Sequence, residues 1–265
     1  MKKLFLPLLA LGFGLAATAQ TTLQVGTQPT VGASAPALGS PAQPTEPTST
    51  TTPDNTRYQN NPALLAKCQA RLAAFNEKPC DIIFIGDSIT EGWLGAGKEI
   101  WEKNYAPRNA LDFGISGDKT QNVLWRLGNM EIQNLKPKVA VILIGTNNFM
   151  NTSHEIADGV HAVIANTQET FPGVKIILVS IMPCERAHDT MMQADSIIKN
   201  NADESTVFYL NLVPLMTPIT TANPDGSSDT TWKGLGKDRL HPTAEGYQIW
   251  ADAMEPLLTK LLGEK

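Results

Sequence analysis

The chain has 265 residues, 42% of them hydrophobic, and a formal net charge of −5. That is enough for one α/β core of ordinary size, and it offers no basic stripe that would draw nucleic acid. Its leading apolar run, Leu4 to Ala16, is too short and wrongly flanked to span a membrane.

Residues 1–19 read as an export signal: Lys2 and Lys3, the apolar run, then Ala17-Thr18-Ala19 as a small-residue cleavage site. The expected location is periplasmic or secreted. Residues 20–56 are mostly Thr, Pro, Ala, Gly and Ser, with too little apolar surface to offset ordering entropy, so a disordered tether is expected. The folded domain is placed at 57–265.

Within it, Leu64, Leu65, Cys68 and Leu72 mark a helix that Pro79 ends. The run Asp81-Ile-Ile-Phe-Ile-Gly86 reads as a buried strand, and a second strand covers Ala110 to Gly114. Val123, Leu124, Leu127 and Met130 stripe a helix over 120–132; Val139 to Gly145 is an almost wholly apolar central strand. A helix over 154–171, a strand over 174–181, a helix over 189–201 and a fifth strand over 207–213 follow. Residues 214–237 read as a polar Gly/Pro-containing loop, and a last helix starts after Pro242. Regular alternation of strand and helix predicts a parallel sheet with right-handed crossovers. Cys68 and Cys80 could pair in an oxidising compartment, or all three cysteines could be buried free thiols; sequence leaves both open.

Open parallel sheets hold ligands at the carboxyl ends of their strands. Ser88 follows the first strand there, in Gly86-Asp87-Ser88, and suits a nucleophile at the start of a helix. Gly117 after the second strand could offer an unobstructed N–H, and Asn147 after the third a side-chain amide, to an oxyanion. Three histidines have an acid three residues earlier, in the pairs Asp158/His161, Glu185/His188 and Asp238/His241, so spacing does not choose the base. Position does. His161 lies within a striped helix and His188 in a charged loop, whereas His241 ends the loop returning from the fifth strand, with Asp238 to orient it. Zinc is disfavoured: His154-Glu155 has its next histidine two helical turns away, roughly 10 Å. Neither a phosphate-binding Gly-x-x-x-x-Gly-Lys-Ser/Thr loop nor a Gly-x-Ser-x-Gly elbow is present.

Gly86-Asp87-Ser88, Gly117, Gly145-Thr146-Asn147 and Asp238-x-x-His241 stand in the order of the four blocks of SGNH (GDSL-type) hydrolases, which the chain resembles from about Asp81 to Leu262. Phe113 to Leu127, Leu135 to Val139 and Gly145 to Asn148 resemble the catalytic subunits of intracellular platelet-activating-factor acetylhydrolase. The resemblance implies a flavodoxin-like three-layer α/β/α sandwich around a five-stranded parallel sheet, with no cofactor or metal. It implies Ser88 as nucleophile, His241 as base and Asp238 as its orienting acid. The oxyanion hole would be the N–H groups of Ser88 and Gly117 with the Asn147 side chain. Met182-Pro-Cys-Glu-Arg-Ala-His188 departs from the acetylhydrolase pattern, as do the signal and tether. An exported member of this kind resembles bacterial esterases that deacetylate polysaccharides, so a short-chain, acetyl-type carbohydrate ester is the expected substrate. The alternatives are a lysophospholipase-like lipid esterase or an inactive glycan-binding module. Asp87, expected to brace the turn, is counted with Trp93, Asn148 and Trp232 among the candidate substrate contacts.

Overall fold

The computed structural model describes residues 48–75 and 78–264. The export signal and most of the tether lie outside the described residues. Helices α1 (Thr56–Asn60) and α2 (Pro62–Ala73) precede β1 (Ile82–Gly86). Then come α3 (Ser88–Glu91), α4 (Lys98–Asn104), β2 (Ala110–Gly114), α5 (Thr120–Asn129), β3 (Val139–Leu143), α6 (Ser153–Thr170), β4 (Lys175–Val179), α7 (His188–Ile198) and β5 (Val207–Leu210). A hairpin of β6 (Pro218–Ala222) and β7 (Ser228–Trp232) leads to α8 (Ala244–Leu262).

The five strands form one parallel sheet in the order β2-β1-β3-β4-β5, the flavodoxin-like order. Gly86, Gly114 and Leu143 lie in register, so the first three strands end level. Every residue of β1, β2 and β3 is buried; the apolar composition of β1 and β3 accounts for those two, while in β2 Asp112 is buried paired with Arg71 at 2.8 Å. The order reverses after β2. With right-handed crossovers this puts α4 and α8 over one face and α5, α6 and α7 over the other, giving the three-layer α/β/α sandwich.

Two expectations need correction, and one open choice is decided. Residues 214–237 are not simply a loop. Ile219-Thr-Thr and Asp229-Thr-Thr-Trp232 flank an Asn223-Pro-Asp-Gly226 turn and pair antiparallel; both strands are largely exposed, so no burial alternation betrayed them. The domain also takes in part of the tether. Thr50 Oγ1 donates to Glu155 O and Thr120 Oγ1 to Thr50 O, both at 2.7 Å, and Asp54 N donates to Gln121 O at 3.0 Å. Threonine hydroxyls and backbone groups hold these residues where apolar surface is lacking. Finally, Cys68, Cys80 and Cys184 are all buried free thiols.

Candidate active site

At the end of β1 the chain turns into α3 so tightly that a Cβ on Gly86 would lie 2.3 Å from Leu143 O. Only glycine fits this close approach. Asp87 caps the turn by accepting Ile89 N–H at 2.9 Å, and Ser88 is left half-buried with its hydroxyl free to face the sheet edge.

Ser88 Oγ lies 2.8 Å from His241 Nε2, across 153 residues of sequence. On the other side of the ring, His241 Nδ1 lies 2.7 Å from Asp238 Oδ2. Asp238 Oδ1 also accepts the backbone N–H groups of Leu240 and His241, at 3.2 and 3.1 Å. Partial burial alone would raise the Asp238 carboxyl; the hydrogen bonds from the His241 ring and these two N–H groups outweigh it and hold Asp238 below the usual carboxylate range. An ionised Asp238 keeps the proton on Nδ1 and leaves the Nε2 lone pair toward Ser88.

The backbone N–H groups of Ser88 and Gly117 have no acceptor among the described residues. Asn147 lies beside them, at the end of β3. Its Nδ2 donates to Asp118 O at 3.0 Å and weakly to Asp87 Oδ2 at 3.3 Å, while its Oδ1 accepts from Arg186 Nη1 at 3.2 Å.

The sequence profile of the GDSL-like lipase/acylhydrolase family matches residues 84–249, a span that holds every one of these groups. The chain belongs to that family. It is 34% identical over 188 residues to the platelet-activating factor acetylhydrolase IB subunit alpha2 of Homo sapiens, covering 71% of this chain and 80% of that one. Among solved structures it is similar to a GDSL-like lipase from Bacteroides thetaiotaomicron (TM-score 0.59, 22% identity, 74% of this chain and 97% of that one). It is also similar to a carbohydrate esterase family 3 protein from Talaromyces cellulolyticus (TM-score 0.51, 19% identity, 69% and 98%).

Within this acylhydrolase fold, three of the four expected substrate contacts are buried structural residues. Asp87 is fully buried and occupied by Ile89 and Asn147, and burial pushes its carboxyl up to about 7, with Ile89 N–H opposing. Asn148 is fully buried too: its Oδ1 accepts Thr120 N–H at 3.0 Å and its Nδ2 donates to Gln121 at 3.0 Å. Trp93 is sealed among Phe84, Tyr105, Tyr247 and Trp250, with ring centroids 4.6 to 6.0 Å away. Apolar packing between α3, α4 and α8 consumed it. Only Trp232 stays half-exposed, stacked against His188 at 5.2 Å.

The other histidine pairs do not form. His161 Nδ1 meets Asn201 at 2.6 Å, and His188 Nδ1 meets Cys184 O at 3.0 Å. Glu185 is taken by Arg239 at 2.7 Å.

Two arginines escaped the sequence reading. Arg126, wholly buried, pairs with Asp118 at 2.9 Å and donates to Phe113 O at 2.7 Å and Gly86 O at 3.3 Å, tying the carboxyl ends of β2 and β1 together. A charged residue at the centre of a buried helix face, three positions after Val123, was the available signal. Arg186 lies over the Phe149 ring at 4.7 Å while it holds Asn147.

Proposed function

We propose that this chain is a serine esterase that removes short acyl groups, acetyl above all, from carbohydrate. The supporting observation is the continuous chain Asp238–His241–Ser88, with contacts of 2.7 and 2.8 Å. In this reading His241 Nε2 takes the Ser88 proton as Oγ attacks the ester carbonyl, while Asp238 steadies the imidazolium. The carbonyl oxygen becomes an oxyanion facing the N–H groups of Ser88 and Gly117. Asn147 can join them by exchanging its long bond to Asp87 for one to the oxyanion. The tetrahedral intermediate collapses as His241 protonates the departing alcohol. Water, deprotonated by His241, then hydrolyses the acyl-enzyme and releases the acid.

The carbohydrate assignment draws on two further points. The fold resembles that of a carbohydrate esterase, and Trp232 stands half-exposed on the hairpin that Arg239 ties to the His241 loop. Residues 1–19 read as an export signal and accord with an extracellular polymer as substrate. No described helix is long and apolar enough to cross a membrane. The relatives named as platelet-activating factor acetylhydrolase subunits favour a second reading, a lipid esterase with the same machinery.

Comparing wild type and Ser88→Ala on p-nitrophenyl acetate tests the mechanism: acetate release should vanish in the variant, and persistence would remove Ser88 from it. Acetyl-xylan, acetylated monosaccharides and lysophospholipids, assayed side by side, separate the substrate readings. A wild type inert to every ester but retaining glycan binding would instead favour a binding module.

A further inference from the structure

The carbonyl of Ser116 and the N–H of Gly117 belong to one peptide unit. Such a unit is planar and trans, so the two groups point in opposite directions, and whatever fixes the carbonyl aims the N–H. Arg57 fixes it: Nη2 donates to Ser116 O. The same guanidinium pairs with Asp118, its Nε 3.5 Å from Oδ1, and is one-third exposed. Gly117 has φ +79°, and a Cβ built on it would lie 2.7 Å from Arg57 Nη2. The guanidinium therefore sits in the space a side chain would take, and the positive φ favours glycine there. From the other side, Ser116 N–H is held by Glu91 Oε2 at 2.8 Å.

Arg57 lies in α1, outside the span 84–249 that the family shares. Its neighbours are fastened to the domain one after another. Tyr58 Oη donates to Asp118 at 2.7 Å, Asn122 Nδ2 donates to Asp54 O at 3.0 Å, and Thr50 is locked between Thr120 and Glu155. The strap's bonds run to the N-terminus of α5, to Glu155 and Asn151, and through Tyr58 to Asp118, beside Gly117, whose N–H has no acceptor among the described residues.

We infer that Arg57 is a positioning residue for ester hydrolysis, aiming the Gly117 N–H at the oxyanion, and that the strap Thr48–Tyr58 serves to place it. A charge-assisted bond on the carbonyl also polarises the peptide and makes its N–H a better donor. The inference rests on Ser88 and Gly117 acting as proposed above.

The test is steady-state kinetics of the full chain on p-nitrophenyl acetate with Arg57→Ala, Arg57→Lys and Thr50→Val. Outright loss of an oxyanion donor costs about 10²–10³ in kcat, so misaiming one should cost Arg57→Ala about tenfold or more, with KM within about twofold. Inactivation by a phosphonate that forms a tetrahedral adduct on Ser88 should slow by the same factor. Guanidinium ion at a non-denaturing concentration should restore part of kcat. Arg57→Lys, which keeps the charge and one donor, should fall between. Thr50→Val, which loosens the strap without touching Arg57, should lose kcat in the same direction, and it carries the test if Arg57→Ala is insoluble. Unchanged kcat in Arg57→Ala, or in Thr50→Val should that one alone fold, overturns the inference, as does a rise in KM alone. An active wild type with unaffected variants sinks only this proposal; an inactive wild type sinks the esterase reading with it.

Discussion

Arg239 and Glu185 join two loops that are 54 residues apart: Nη1 of the arginine lies 2.7 Å from Oε1 of the glutamate. Glu185 N–H returns a bond to Arg239 O at 3.2 Å, and Nη2 reaches Asp229 on β7 at 3.1 Å. Arg239 stands between Asp238 and His241 at φ +53°, a region that costs a non-glycine residue about 1–2 kcal/mol. One residue thus anchors the His241 loop to the β4–α7 loop and to the hairpin.

If His241 is the base proposed above, Arg239→Ala should lower kcat about tenfold, because displacing it by a fraction of an ångström is expensive in rate. Stability should fall little, since the ion pairs of Arg239 are with exposed, solvent-screened carboxylates. Arg239→Gly should be more stable than Arg239→Ala by about 1 kcal/mol, glycine being at ease at this φ. Denaturant titration of the pair checks the backbone argument, and equal midpoints would refute it.

Asp87 sets a pH dependence of stability. Its folded value of about 7 lies above the ordinary 3.8, chiefly through burial. Between these two values the unfolded chain has already lost the proton that the native state keeps, so stability falls as pH rises from about 4 to about 7 and levels off above. Asp112, also pushed up to about 7 by burial against the opposing charge of Arg71, acts in the same direction. Asp87→Asn mimics the neutral carboxyl. Urea titrations at pH 5 and pH 8 should show a smaller loss across this interval in the variant than in wild type, the difference reaching at most about 2.7 kcal/mol. Identical losses would mean that Asp87 titrates normally.

Sequence carried the sheet because its strands are buried on both faces: Ile82–Ile85 and Val139–Leu143 have no polar residue to blur them. That Ser88, His241 and Asp238 would come together was legible for a different reason. Each sits at a strand's carboxyl end or on the loop returning to it, and topology brings those ends together. Asn148 and Trp93 were misjudged because sequence adjacency to Asn147 and Ser88 says nothing about the direction of a side chain. One points into the α5 N-terminus and the other into an aromatic cluster. The strap was invisible because its hold is made of hydroxyls and carbonyls, which leave no apolar period to read.

Arg126 and Asp118 form a buried pair whose separation should be costly. Burial raises the Asp118 carboxyl, and Arg126 is the leading influence opposing that rise. Arg126→Ala would strand Asp118 beneath the site without its principal cation and release Gly86 O and Phe113 O together. A loss of about 3–5 kcal/mol is expected by chemical denaturation. A loss below about 1 kcal/mol would show that water or Tyr58 replaces the guanidinium without penalty.

Trp93 and Trp232, the two tryptophans among the candidate substrate contacts, should now separate cleanly. Trp93 has no exposed surface and packs among aromatic rings on every side, so Trp93→Ala should cost about 3–5 kcal/mol of stability and impair every substrate alike. Trp232 is half-exposed, with one face on His188. Trp232→Ala should change stability by about 1 kcal/mol or less. Its effect should depend on substrate instead. Aromatic contacts contribute about 0.5–1.5 kcal/mol, so KM for an acetylated oligosaccharide should rise up to about tenfold while p-nitrophenyl acetate turns over as before. Equal KM values for wild type and Trp232→Ala on the oligosaccharide would deny Trp232 a place in substrate binding. A larger effect on lysophospholipid than on oligosaccharide would move the substrate assignment to lipid, because an exposed indole serves an acyl chain as readily as a sugar face.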